Sequence, residues 1–213
     1  MDVVIAGGHG QIAMRLERLL VEGGHRARGL IRKPEQASDL EALGAEAVVC
    51  DLEAGDDVAD AVAGADAVVF AAGAGPGSGA ERKRTMDYGG AVKLIEAARA
   101  AGIRRYAIVS SIGAHDPGGG DGPMGPYLQA KHDADVALQE SGLDYTIVRP
   151  GSLTDDPGTG LVTASTTMGG RGPVPRDDVA ATLYAALQID STIGKTFELF
   201  AGETPIEAAL RAL

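Results

Sequence analysis

Three groups of residues in this chain have the types and spacing that chemistry needs. The first, Gly7-Gly8-His9-Gly10-Gln11-Ile12-Ala13, directly follows the apolar run Val3 to Ile5. It reads as G-x-G-x-x-A from Gly8 or G-x-x-G-x-x-A from Gly7, and both spacings open a dinucleotide site. Glycines let a pyrophosphate approach the backbone N–H groups at a helix N-terminus, and Ala13 keeps that helix close to the strand. A plain strand-to-helix turn also carries glycines; a strand before and a helix after give this one its meaning. The second group is Arg32-Lys33, just past the run Ala27 to Ile31. An NAD site usually puts a carboxylate there, on the ribose 2′-hydroxyl, whereas cations suit a 2′-phosphate. NADP is the expected cofactor and NAD the lesser alternative, although a solvated Arg-Lys pair would look the same. Asp51-Leu52 lies where adenine would rest, and Asp51 would equally cap a turn. The third group is Ser110-Ser111 at the end of a strand, followed by Tyr127 and Lys131. A spacing of i, i+4 puts Tyr127 and Lys131 on one helix face. An ammonium beside a phenol favours the phenolate, which lets the side chain give or take a proton near neutral pH. Ser111 would hold the same substrate oxygen. Two unrelated helix-surface residues are the plain alternative.

Six short β-branched runs position these groups: Val3 to Ile5, Ala27 to Ile31, Ala47 to Cys50, Ala67 to Phe70, Tyr106 to Val109 and Tyr145 to Val148. Each reads as a strand buried on both faces. Between them lie segments with helical spacing, such as Ile12, Leu16, Leu19, Leu20 and Met86, Val92, Ile95, Ala98. Gly24, Gly44, Gly64, Gly102 and Gly142 precede the second to sixth strands, where a left-handed residue would end each helix. The segments leaving the strands are long and rich in Gly and Pro: Gly73 to Gly79, His115 to Pro126 and Pro150 to Gly160. Tight turns on one edge and long loops on the other predict an α/β fold, a Rossmann-type doubly wound parallel sheet with ligands beyond the strands' carboxyl ends. His115 to Pro126, with five glycines and three prolines, reads as a lid. The 63 residues after Pro150 are predicted to hold a helix from Arg176 to Gln188, a strand from Thr196 to Phe200, and a last helix with Thr204, Pro205 and Glu207 as N-cap, N1 and N3. That leaves room for a small C-terminal extension only, so residues 1–213 are expected to form a single domain, with pocket elements mainly at 111–126 and 150–213.

Composition narrows the function classes. The 213 residues are 45% apolar and 23% charged, the balance of a globular chain. Aromatics are 4% and Trp is absent, so the core is aliphatic. A net charge of −11 opposes nucleic-acid binding. One cysteine, Cys50, offers no intrachain disulfide and no zinc cluster, and it reads as a small buried hydrophobe. No metal is expected. Without a signal-like leader or a long apolar run, the expectation is a cytoplasmic protein that avoids membranes, binds a small molecule and has room to form a homodimer. His115 and His132 read as solvated, and His9 faces the glycine turn by position alone.

The chain resembles the atypical short-chain dehydrogenase/reductases. The resemblance is carried over essentially the full length by Gly7 to Ala13, Asp51-Leu52, Ala71-Ala72-Gly73, Ser110-Ser111, Tyr127 with Lys131, and Val148-Arg149-Pro150-Gly151. The tail, with Arg176-Asp177-Asp178-Val179-Ala180 and Gly194 to Leu199, is similar to the NAD(P)H-binding, NmrA-like and sugar-epimerase-like branch. The resemblance implies that Gly7, Gly10 and Arg32 contact cofactor phosphates, with Gln11, Ile12 and Lys33 beside them. It places Asp51 and Leu52 at adenine, Ala71, Ala72, Gly73 and Pro150 along the cofactor, and Lys131 on the nicotinamide ribose. Ser111 and Tyr127 are implied in proton chemistry; Ser111 is preferred because the family's polar residue is usually second of such a pair, with Ser110 the alternative. The leading expectation is an NADP-dependent oxidoreductase acting on a small carbonyl or alcohol. A nucleotide-sugar epimerase-like enzyme, a non-catalytic NADP-binding redox sensor and a flavin or quinone reductase remain alternatives.

Overall fold

The computed structural model describes residues 1–54, 58–75, 77–119 and 124–213. The elements in chain order are β1 (Asp2–Ala6), α1 (Gln11–Glu22), β2 (Arg26–Ile31), α2 (Ala37–Glu41), β3 (Glu46–Val49), α3 (Val58–Val62), β4 (Ala67–Phe70) and α4 (Ala80–Arg82). A π-helical stretch, Lys83–Gly90, leads into α5 (Ala91–Ala100), followed by β5 (Arg105–Val109), α6 (Met124–Gln139), β6 (Asp144–Pro150), β7 (Ser152–Thr154), β8 (Leu161–Ser165) and β9 (Pro173–Pro175). The chain closes with α7 (Arg176–Ala186), β10 (Lys195–Ala201), β11 (Thr204–Pro205) and α8 (Ile206–Arg211).

The main sheet runs β11-β8-β10-β6-β5-β4-β1-β2-β3, and from β10 to β3 every pairing is parallel. β1 lies between β2, with Ala6 opposite Leu30, and β4, with Ala6 opposite Phe70. The order reverses there, and the crevice beyond the carboxyl ends of β1 and β4 is where such a sheet binds ligands. Successive β1 side chains feed opposite cores: Val3 and Ile5 meet Leu16, Leu20, Val179 and Leu183 of α1 and α7. Val4 and Ala6 meet the layer with Val62, Leu94, Ile95 and Leu138, from α3, α5 and α6. The architecture is the expected Rossmann-type α/β sheet. Gly24, Gly44, Gly64, Gly102 and Gly142 all take φ between 71° and 80°, as five left-handed helix ends require.

Several expectations fail in detail. β3 is the sheet edge and its residues are only half-buried or exposed, with Val49 55% exposed; an apolar run there marks an edge strand rather than a buried one. The sequence places the opening of this helix at Tyr127, but α6 begins three residues earlier at Met124, with Pro126 in its first turn, where a missing N–H loses no helical bond. The predicted last-helix cap also shifts. Thr204 and Pro205 pair with Val162 and Leu161, the Ile206 N–H bonds the Gly160 carbonyl, and the helix starts after Pro205. The antiparallel β8 and the small β7–β9 ribbon lay outside the predicted strands. Residues 120–123 of the glycine-rich segment read as a lid lie outside the described residues.

Candidate active site

The glycine turn is built so that only glycine fits. Gly7 has φ +80°, and a Cβ on it would stand 2.7 Å from the Ala72 Cα of the loop after β4. A Cβ on Gly8 would stand 2.7 Å from the Gly29 Cα of β2. The Gly10 N–H bonds the Gly7 carbonyl at 2.7 Å. α1 then starts with no side-chain cap on its first N–H groups, which leaves unsatisfied donors and the positive end of the helix dipole facing the turn. Such a turn can hold a pyrophosphate.

Two hollows meet at this turn and share Ala71, Ala72 and Gly73. The first, about 210 Å³, is bounded by Gly7, Gly10, Arg32, Leu52, Arg82 and Met86. Arg32 and Leu52 both line this hollow. Lys33, Gln11 and Asp51 do not line it: Lys33 lies 3.8 Å from Glu35 on the surface, Gln11 is exposed, and the Asp51 carboxylate accepts the Glu53 N–H at 2.9 Å. Sequence reasoning missed Arg82 and Glu53. Glu53 Oε2 lies 3.1 Å from Arg82 Nη2 and 3.9 Å from Arg32 Nη1, and Oε1 accepts from the Thr85 hydroxyl at 2.8 Å. Partial burial favours the neutral acid, but the Thr85 and Arg82 hydrogen bonds and both arginine charges hold its carboxyl below the ordinary range.

The second hollow, about 440 Å³, holds Ile12, Ser110, Ser111, Tyr127, Lys131 and Pro150. Lys131 is buried, donating to the Val109 carbonyl at 3.0 Å and lying 3.3 Å from the Asp87 carboxylate. Its Nζ is 5.9 Å from the Tyr127 ring centroid, so the i, i+4 spacing does bring the two together. Burial alone would depress the Lys131 ammonium, yet Tyr127, Asp87 and Asp135 outweigh it and hold its pKa above the ordinary value; the group stays cationic through neutral pH. Asp87 was not foreseen. Its other oxygen accepts the Ala74 N–H at 3.2 Å, tying the loop after β4 to the lysine.

The two serines part ways. Ser110 is buried and donates to Asp135 at 2.8 Å, and Asp135 also receives Arg149 Nε at 2.9 Å. Burial raises the Asp135 carboxyl even against the Arg149 charge and these hydrogen bonds. Ser111 is half-buried and donates to the Ile112 carbonyl at 3.1 Å, leaving its oxygen's lone pairs on the cleft. His132, expected on the surface, is half-buried with Nδ1 2.8 Å from the Ala114 carbonyl oxygen. His115 is exposed, 3.8 Å from Glu198. Cys50 is buried, as expected.

The NAD(P)H-binding family model matches residues 7–190. An uncharacterized sugar epimerase, YhfK of Bacillus subtilis, is 44% identical over the whole of both chains. A Bacillus halodurans structure described as a candidate NAD-dependent epimerase/dehydratase is 42% identical, with a TM-score of 0.95 over all of both chains. ChuY of Escherichia coli O157:H7, described as an anaerobillin reductase, is 26% identical with a TM-score of 0.82, covering 94% of this chain and 97% of that one.

Proposed function

The chain belongs to the NAD(P)H-binding family, and from that premise we propose an NADP-dependent oxidoreductase of the short-chain dehydrogenase/reductase type, acting on a small carbonyl or alcohol. One observation carries the reading. The buried Lys131 ammonium stands 5.9 Å from the Tyr127 ring, in a cleft continuous with the glycine turn. Gly7, Gly10 and the N-terminal amides of α1 hold the pyrophosphate, and Arg32 with Arg82 takes the 2′-phosphate. Bound at this site, the nicotinamide supplies or accepts hydride.

The chain's own residues manage the proton. Tyr127 Oη gives it to the carbonyl oxygen in reduction, or takes it from the alcohol in oxidation. Lys131 stabilises negative charge on the phenol oxygen as the proton leaves. The Ser111 hydroxyl turns from Ile112 to hold the substrate oxygen, while Ser110 stays engaged with Asp135. Asp87 fixes Lys131 in place and offsets the desolvation of its charge.

The epimerase reading is favoured by what YhfK is called, and it would use the same Tyr127 and Lys131. A panel of carbonyls, quinones, flavins and sugar nucleotides, followed by nicotinamide absorbance and by product stereochemistry, separates the two. NADPH consumption with a carbonyl supports the reductase. Inversion of a sugar nucleotide without net cofactor change overturns it, as does tight NADPH binding with no turnover on any compound.

A further inference from the structure

The charge lining the second hollow runs against that of the protein. Among the described residues, its formally charged side chains are Lys83, Asp87, Lys131 and Arg176, a balance of two positive charges in a chain of −11. Lys131 and Asp87 offset each other across 3.3 Å, and the cation whose partners bear on a ligand is Arg176. Lys83 lies 5.6 Å from the Tyr127 ring centroid. Arg176, the first residue of α7, is only partly exposed, 22% by side chain, and its Nη1 donates to Asp155 at 2.8 Å. No described residue accepts from its Nε or Nη2. Those two N–H groups form the planar edge that binds a carboxylate through two parallel hydrogen bonds. Asp155 is 66% exposed, and such a surface pairing is weak. It orients the guanidinium without satisfying it.

The mouth of the cleft is apolar. Met124, 50% exposed, and Leu153, 37% exposed, are among the few described large hydrophobic side chains left to solvent, and both line this hollow. Single exposed hydrophobes are ordinary, but two lining one hollow together with a guanidinium edge that no described residue satisfies make an amphipathic binding surface.

We propose that the substrate has an apolar body carrying a carboxylate, the body lying between Met124 and Leu153 and the carboxylate gripped by the Nε–Nη2 edge of Arg176. The inference rests on the oxidoreductase reading only in placing the reacting carbonyl at Ser111 and Tyr127. The grip fixes the distance between the anion and the reacting carbon, so it selects among carbonyl compounds by where their charge lies.

The probe is 2-naphthoate against its neutral counterpart 2-naphthamide, titrated calorimetrically into the full chain with and without saturating NADP. The carboxylate is expected to bind about tenfold more tightly than the amide, the scale of a bidentate charge-assisted contact. Arg176→Gln should abolish that preference while changing amide affinity less than about twofold, and Arg176→Lys should restore part of it as a point charge. Asp155→Ala should strengthen naphthoate binding about threefold, because the like charge of the Asp155 carboxylate on the same guanidinium is gone. Equal wild-type affinity for the two compounds overturns the proposal. So does an Arg176→Gln variant that keeps the preference or loses both ligands alike, or no naphthoate binding at millimolar concentration. A protein that discriminates the two compounds but binds no NADP loses the oxidoreductase reading and keeps the anion grip.

Discussion

Glu17→Gln should remove a fall in stability that Glu17 imposes on the wild type between about pH 4.5 and 8. Glu17 lies on α1 with no exposed surface, and neither carboxyl oxygen has a hydrogen-bond partner among the described residues. It fills the space beside Gly8 and Gly29, where a Cβ on Gly29 would come within 2.4 Å of its Oε1. Burial without a partner pushes its pKa from 4.5 to about 8. Below pH 4.5 the acid is protonated both folded and unfolded, and the group leaves stability unchanged. Between pH 4.5 and about 8 the unfolded chain ionises first, so stability falls as pH rises; above 8 both states are ionised and the loss levels off. At about 1.4 kcal/mol per pH unit the full loss is about 5 kcal/mol, of which about 3 has accrued at pH 7. Set against a total stability of about 5–15 kcal/mol, that is large. Urea unfolding followed by circular dichroism at pH 5, 7 and 9, for wild type and Glu17→Gln, measures it directly. The variant should exceed the wild type by less than about 1 kcal/mol at pH 5 and by several at pH 9. Parallel stability profiles for the two proteins would refute the reasoning, since they would place the titration of Glu17 outside this window.

Tyr127→Phe should cut turnover by about a hundredfold or more with NADPH affinity unchanged, whereas Lys131→Ala should lower turnover and affinity and also destabilise the fold by leaving Asp87 buried without its cation; steady-state kinetics, calorimetry and urea melts separate these. Arg32→Ala and Arg82→Ala should each narrow the preference for NADPH over NADH by about 1–3 kcal/mol, read by titrating both cofactors, and a wild type without preference would remove the basis for both. Gly7→Ala should weaken cofactor binding at least tenfold and cost about 1–3 kcal/mol of stability, because it forces a Cβ against Ala72 at a positive φ; full affinity in this variant would mean the turn can re-form elsewhere.

Local signals in the sequence carried far. Five glycines marked five helix ends because a left-handed residue is a local requirement, and the β-branched runs marked the parallel strands because burial on both faces leaves no polar alternation. The Tyr127–Lys131 pair was legible because helical spacing is also local. Pairings made across the fold were not. Nothing in the spacing connects Asp87 to Lys131, or Arg82 and Arg32 to Glu53, and those contacts exist only because separate loops end at one sheet edge. Exposure was misread at β3 because an apolar run looks the same at a sheet edge as in its centre. The tail misled for a related reason: Thr204, Pro205 and Glu207 match a helix start, but Leu161 and Val162 recruit the first two into the sheet.

The packing of α1 on α7 reverses the usual relation between what is made first and what works first. α1, which opens the cofactor site, buries Leu16 and Leu20 in the same core as Val179 and Leu183 of α7, and Arg15 is tied to Asp177 at 2.5 Å. Arg105 of β5 reaches the Ala186 carbonyl at 2.6 Å. During synthesis, therefore, the glycine turn, both serines, Tyr127 and Lys131 have all left the ribosome while the helix beneath the turn still lacks its cover. Contacts this distant in sequence form late. A chain stopped after β6 would carry the glycine turn, both serines, Tyr127 and Lys131 but lack α7, which covers the helix beneath the turn, so a fully packed site arrives with the last third of the polypeptide.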